Sequence, residues 1–317
     1  MYDALNAICD KHGIFLRKDA IALGYTDKDL ARAVRMRVLH RVRHGSYTFR
    51  GRWDPLTANE KHAVRAMAAL RTARADVVLS HTTALVLHGA PTWELPLDDV
   101  HLTRRDHRSG RRETGLAQHR GLLLPADVVE VNGTKVTSPC RSALDLTTMV
   151  GIEHCLPVFD HFLHAGLTTK SELRRGAAAM KLWSGTLHTD LAIALANPRC
   201  ESVGESRTSY MLWRHGVPAP VTGYEFFDER GNVLFRVDFA WPELGVFLEF
   251  DGKEKYLKYR KKGESVIDAV LREKRREEWI CRLTGWRCIR IVWADLYRPE
   301  QTVARIQAVL AGGPVHV

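Results

Sequence analysis

The 317-residue chain has no apolar run long enough to cross a bilayer, and Asp3, Asp10 and Lys11 interrupt what would be the apolar core of a secretory signal. A membrane-spanning or exported protein is not expected; the expected compartment is the cytoplasm. Cysteine is sparse and scattered. Cys9, Cys140, Cys155, Cys200, Cys281 and Cys288 show no CxxC spacing, which argues against a zinc ribbon or a disulfide framework and predicts reduced, structural thiols. Negative charge is in deficit, with 37 Asp and Glu against 47 Lys and Arg, a formal net charge of +10. That balance favours a polyanionic partner. Nucleic acid comes ahead of an anionic membrane surface, because no basic amphipathic helix with aromatic anchors is present. The apolar fraction of 45% is enough for real cores in two or three domains.

Residues 3 to 50 read as three short helices and a hairpin. Leu5, Ile8 and Cys9 share a helical face, Arg17 to Leu23 form a second helix ending at Gly24, and Thr26 caps a third. Val38 to Arg43 and Ser46 to Phe49 flank a His44-Gly45 turn, the sequence form of a β-wing. Lys28, Arg32, Arg35 and Arg37 on the third helix, with Arg41 and Arg43 on the wing, are the candidate DNA-binding cations. A helix fits the major groove while such side chains neutralise phosphates, so the expected partner is double-stranded DNA. The bland alternative is a solvated basic helix on a protein-interaction domain.

A longer helix is expected from Asp54 to about Arg74, then a helix from His81 to His88 capped by Ser80. Strands are expected at Val100 to Thr103, and at Val128 to Val131 and Thr134 to Thr137 around an Asn132-Gly133 turn, with a basic loop from Arg104 to Arg112 between. Ser138-Pro139 opens a further helix, and helical segments run on to about Asn197. The stretches His44 to Tyr47, Ser80 to Ala84 and Val136 to Asp145 resemble the AbiEi family of type IV antitoxin-like proteins over roughly the first 190 residues. The resemblance implies a winged-helix DNA binder with an α/β domain attached, acting in phage defence or as a repressor of its own operon.

The last third carries the acids. Glu201 to Ser206 opens a helix running to Arg214, with Glu201 and Glu205 expected one turn apart on one face, and a strand follows at Tyr224 to Asp228. The stretch from Arg236 to Gly252 reads as two strands joined at Pro242 and Gly245. Alternation puts Glu249 and Asp251 on one face, within reach of Asp238 on the neighbouring strand. Three carboxylates so placed repel unless a cation joins them, most often a hard divalent metal. A helix from about Ser265 to Leu283, a strand at Arg287 to Trp293 and a helix from Pro299 complete the chain. Between them Lys255, Lys258, Arg260, Lys261 and Lys262, interleaved with Tyr256 and Tyr259, suit contact with nucleic acid.

The order helix, three strands, helix, strand, helix resembles the restriction-endonuclease-like core, and Asp238 followed by Glu249-Phe250-Asp251 resembles the PD-(D/E)xK signature. Val237 to Trp241, Glu249 to Gly252, Glu273 to Glu277 and Gly285 to Arg290 look like the DUF559 branch of Vsr-like (very-short-patch-repair-like) nucleases, over about residues 199 to 312. The resemblance implies that Asp238 and Glu249 bind Mg²⁺ or Mn²⁺, with Glu205 or Glu201 completing the outer shell or orienting water. Asp251 stands where the signature has lysine, as is common in that branch. A positive charge would then come from Lys253 or from Lys274, the latter preferred because Gly252 spoils the alternation at Lys253.

The expected fold class is thus α/β and α+β multidomain: a winged helix-turn-helix over 1–52, an AbiEi-like α/β domain over 53–197 and a Vsr-like nuclease domain over 198–317. The expected function is a metal-dependent DNA endonuclease in defence against phage or foreign DNA. The alternative is a non-catalytic antitoxin or transcriptional repressor, with a toxin partner; a homodimer is compatible with either.

Overall fold

The computed structural model describes residues 2–106, 108–252 and 277–315. The chain divides into two compact units, one of Met1–Val158 with Gly166–Ile193 and one of Phe159–Ala165 with Ala194–Val317. Both are mixed α/β.

The first unit begins with α1 (Asp3–His12), β1 (Phe15–Leu16), α2 (Arg17–Ala22), α3 (Asp27–Arg35), β2 (Leu39–Arg43) and β3 (Ser46–Phe49). Thr26 stops the chain from joining α2 to α3: its hydroxyl accepts from Asp29 N while its own N–H donates to the Asp29 carboxylate. The hairpin β2–β3 turns at Gly45, φ +72°, and β1 adds to β3, giving the antiparallel order β1-β3-β2. Leu5, Cys9, Phe15, Leu30, Ala33 and Leu39 form the core beneath. The helix expected from Asp54 is present but starts later, at Ala58. A turn of helix, α4 (Arg50–Trp53), ends before Pro55, and α5 (Ala58–Thr72) starts afresh because Thr57 and Glu60 make a reciprocal cap.

Next comes a six-stranded mixed sheet of order β6-β7-β5-β4-β9-β8. Its members are β4 (Val77–Leu79), β5 (Val100–Arg104), β6 (Arg112–Glu113), β7 (Leu116–Arg120), β8 (Val128–Val131) and β9 (Thr134–Thr137), with α6 (His81–Leu87) between β4 and β5. The Asn132-Gly133 turn takes φ +49° and +74°, as a two-residue hairpin requires. The basic stretch from Arg104 is not simply a solvated loop: Arg104 pairs with Asp106, Arg112 pairs with Asp99, and its end becomes β6. Helices α7 (Pro139–Thr147), α8 (Ile152–His164), α9 (Lys170–Ala179) and α10 (Thr189–Leu195) follow.

In the second unit α11 (Val203–Arg214) precedes β10 (Val221–Phe227), β11 (Val233–Trp241), β12 (Val246–Asp251) and β13 (Arg287–Val292), in spatial order β10-β11-β12-β13. The first three are antiparallel neighbours; β12 and β13 run parallel. One sheet face packs Phe239, Leu248, Phe250 and Ile291 against Met211 and Leu212 of α11 and Val303 and Ile306 of the helix Pro299–Leu310. The other packs Phe235, Val237 and Phe247 against Ile280, within the helical residues 277–284. Trp293 leaves the expected strand to start a short helix, Trp293–Leu296.

Gly204 lets α11 lie directly on β12, since a Cβ there would stand 2.0 Å from Phe250 Cε1. Gly204→Ala should therefore cost about 1–3 kcal/mol by overpacking, read as a lower urea midpoint; an unchanged midpoint would show that Phe250 gives way freely. Among the described residues no helix is long and apolar enough to cross a membrane, and all six cysteines are free.

Candidate functional site

The β11–β12 ladder pairs Trp241 with Val246, Ala240 with Phe247 and Phe239 with Leu248, and goes no further. One step on, where Asp238 would face Glu249, a side chain takes over from the backbone: Phe250 N donates to Asp238 Oδ2 at 2.8 Å. That amide lies between Glu249 and Asp251 in the chain, so the Asp238 carboxylate is held against the strand that carries the other two acids. Glu249 is 7% exposed, on a strand that is otherwise apolar as far as Phe250.

The remaining acids are placed by cations and caps. Asp251 accepts from Arg290 Nη1 at 2.9 Å, and the same guanidinium pairs with Glu277. Glu205 accepts from Ser202 Oγ at 2.7 Å and from Glu201 N at 2.9 Å, acting on the start of its own helix. The shared helical face expected for Glu201 and Glu205 does not form. Ser202 is the N-cap, which leaves Glu201 outside the helix, where it pairs with Arg236.

Two buried thiols report the local fields. Burial raises the Cys200 pKa, and Asp160, Glu205 and Asp238 add to the rise, while Cys288 is raised by burial and then by Glu277 and Glu249. Asp238 and Glu205 thus bear on one thiol and Glu249 on the other. Among the described residues the acids do not form a trio whose oxygens all lie within 4.8 Å. Lys253, Lys274 and the basic run from Lys255 to Lys262 lie outside the described residues.

Of the candidate DNA contacts, Lys28, Arg32, Arg35, Arg37 and Arg41 are exposed. Lys28, Arg32 and Arg35 follow one another by four and three residues and so form one stripe of α3, away from buried Leu30 and Ala33. Arg37 takes a left-handed φ of +58° where the chain turns into the hairpin. Arg43 differs: it reaches Glu113 of β6 at 3.3 Å.

A second cluster, one that the sequence pattern does not single out, lies in the first unit. His81, His101 and His119 offer ring nitrogens within 4.8 Å of one another. Ser80 stands at the N-cap of α6 as expected but does not cap with its side chain. Its hydroxyl accepts from Thr103 Oγ1 at 2.8 Å and is hydrogen-bonded with His81 Nδ1 at 2.9 Å. His81 itself has φ +52°. His101 Nδ1 and His119 Nε2 are 2.8 Å apart.

All three histidines are held neutral, chiefly by burial and then by one another or by nearby arginines; His101 falls to about 3 and His119 to about 4. Beside them Asp145 is fully buried, and burial raises it to about 6 against the opposing pull of Arg141. Alternating chemistry in Val100-His101-Leu102 and the pair Gln118-His119 were the available signals. Neither stands out in a chain with 15 histidines.

No protein-family profile matches the chain. Two uncharacterized proteins from two strains of Mycobacterium tuberculosis are each 27% identical to it over 197 residues, covering 62% of this chain and 68% of theirs.

Proposed function

We propose that the chain is a metal-dependent DNA endonuclease of the PD-(D/E)xK type, brought to duplex DNA by a winged helix built from α1–α3 and the β2–β3 hairpin. The observation that carries this reading is the Asp238 carboxylate bonded to the amide between Glu249 and Asp251. The donor set fits the group: carboxylate oxygens, one of them buried, suit a hard divalent cation. Asp238 and Glu249 would hold Mg²⁺ or Mn²⁺, with Glu205 beyond them. Such an ion supplies charge neutralisation for the anionic transition state and a water acidic enough to attack near neutral pH. Arg290 orients Asp251 and keeps a positive charge beside the acids. Phage or foreign-DNA defence is the setting the family resemblance suggests. Supercoiled plasmid incubated with Mg²⁺ or Mn²⁺, against a chelator control, tests the reading: nicking that needs the metal supports it.

A second reading has its own support. Asp251 and Glu277 share Arg290, and the described acids do not gather as a trio. A repressor or antitoxin that keeps the shape without the chemistry would bind an operator and cut nothing under any divalent ion.

Both readings require the α3 stripe to meet phosphate. Arg32→Ala and Arg35→Ala should each weaken duplex binding across sequences and reduce the slope of log K against log salt by about one. Fluorescence anisotropy over a salt series measures this, and an unaltered slope in the double variant would remove α3 from the interface.

A further inference from the structure

The histidine cluster borders a cavity of about 590 Å³ in the first unit, lined in part by His81, His119, Arg120, Leu122, Arg141 and Trp183. That volume is in the range of small-molecule sites. A metal ion is the first occupant such a cluster suggests, and the rings oppose it. His81 and His119 stack with centroids 3.7 Å apart and planes 17° from parallel. Two imidazoles sharing an ion must each hold it along a lone pair in the ring plane, at about 2.0–2.1 Å for zinc. Stacked rings cannot both do so. His101 and His119 lie nearly coplanar, at 16°, with nitrogens 2.8 Å apart. A shared proton fits that gap; an ion does not.

Arg141 points to a different ligand. It is 5% exposed, yet its donors are only partly used: Nε bonds Asp145 at 2.7 Å, and Nη1 bonds Leu122 O at 2.7 Å and Asp127 at 3.1 Å. Nη2 is buried without a hydrogen-bond partner. It lies beside Gly121, where an atom in the place of a Cβ would stand 3.3 Å from Nη2 and 3.3 Å from the Trp183 ring. Trp183 covers the guanidinium at 4.8 Å, and it does so from a segment whose neighbours Leu182 and Ser184 are exposed. Asp127 and Asp145 set two carboxylates against Arg141, and Arg120 brings a second cation to the same cavity. His81 adds a left-handed backbone at the cavity wall, a conformation uncommon for non-glycine residues.

We propose that this cavity binds a 5′-nucleotide, free or at the end of a DNA strand, with its phosphate on Arg120 and the Nη2 donors of Arg141 and its base against Trp183 and Leu122. Both sources present the same phosphate and planar ring. The site is independent of the carboxylates in the other unit.

Calorimetric titration of the full chain in chelator-containing buffer, so that the carboxylate site takes no part, tests it with deoxyadenosine monophosphate, deoxyadenosine, and a single-stranded oligonucleotide with or without a 5′-phosphate. Saturable binding of the monophosphate, with the nucleoside weaker by about tenfold or more, is expected from the loss of charge-assisted hydrogen bonds. The two oligonucleotides identify the source: tighter binding of the phosphorylated one indicates a strand end, and equal binding indicates the free nucleotide. Gly121→Ala, whose Cβ would stand 3.3 Å from Nη2, and Trp183→Ala, on the exposed segment, should each weaken the monophosphate by about tenfold, with the melting temperature of Trp183→Ala held. Failure of the monophosphate to bind, wild-type affinity in both variants, or in place of it stoichiometric Zn²⁺ uptake that His119→Gln abolishes in chelator-free buffer, would overturn the proposal.

Discussion

Asp238→Asn is expected to slow metal-dependent plasmid nicking by about 10²- to 10⁴-fold, because a carboxylate ligand supports several kcal/mol of transition-state stabilisation and each ~1.4 kcal/mol is a factor of ten. The substitution is chosen for what it keeps. An asparagine oxygen can still accept the Phe250 N–H that Asp238 accepts at 2.8 Å, so the parting of β11 and β12 is preserved while the charge is lost. Glu249→Gln, isosteric at a position 7% exposed, should show a similar loss. In both variants duplex affinity through α3 and the melting temperature should stay near wild type, and the metal concentration giving half-maximal nicking should rise. Nicking at the wild-type rate in both would remove these acids from the chemistry. Nicking by neither wild type nor variants, with selective binding intact, would favour the repressor.

The first unit should lose stability on mild acidification. His101 and His119 have folded pKa values of about 3 and about 4 against an ordinary 6.5, both chiefly through burial. His81 moves in the same direction. Between pH 6.5 and 4 the unfolded chain takes up protons that the folded chain refuses, so stability present above 6.5 drains away as the pH falls. Asp145 works in the opposite sense. Raised from 3.8 to about 6, it is protonated in the fold before it is in the unfolded chain, which adds stability as the pH drops from about 6 toward 4. Three lowered imidazoles outweigh one raised carboxyl. The net loss should be on the order of a few kcal/mol, at about 1.4 kcal/mol per pKa unit. Urea denaturation at pH 7.5 and pH 5 reads it out; His101→Gln should flatten the dependence, and a midpoint that does not move with pH in the wild type would contradict the buried neutral cluster.

Local chemistry made much of the fold legible. Thr26 with Asp29 marks the start of α3, His44-Gly45 and Asn132-Gly133 mark hairpins, and Ser138-Pro139 marks α7, because each acts within four residues. What escaped depends on distant partners. The three-residue β4 gains its identity from β5 and β9 on either side, and β7 pairs in parallel with β5 while presenting Gln118, His119 and Arg120. Neither has a strand's alternation to announce it. The later start of the helix expected from Asp54 is written in the Thr57 and Glu60 capping box, which the run of helix formers around it obscures.

At the candidate carboxylate site, alternation and the short connection at Pro242 and Gly245 bring Asp238 near Glu249 and Asp251 in outline. That the Asp238 side chain takes over a backbone amide depends on where the ladder stops, which no pattern of residue types encodes. The same holds for Ser80, whose hydroxyl had a stronger claim from His81 and Thr103 than from the helix behind it.

The parallel pairing of β12 with β13 bears on how the protein is made. Val246 meets Arg287 and Asp251 meets Val292, so the acidic strand acquires its second neighbour only when the chain has been synthesised well beyond it. Until then β12 is an apolar strand with one open edge, the kind of template on which nascent chains associate. Closing a long loop before any contact repays it should also make this pairing slow to form. Chains truncated before Arg287 should therefore collect as aggregates rather than as shortened, monodisperse fragments.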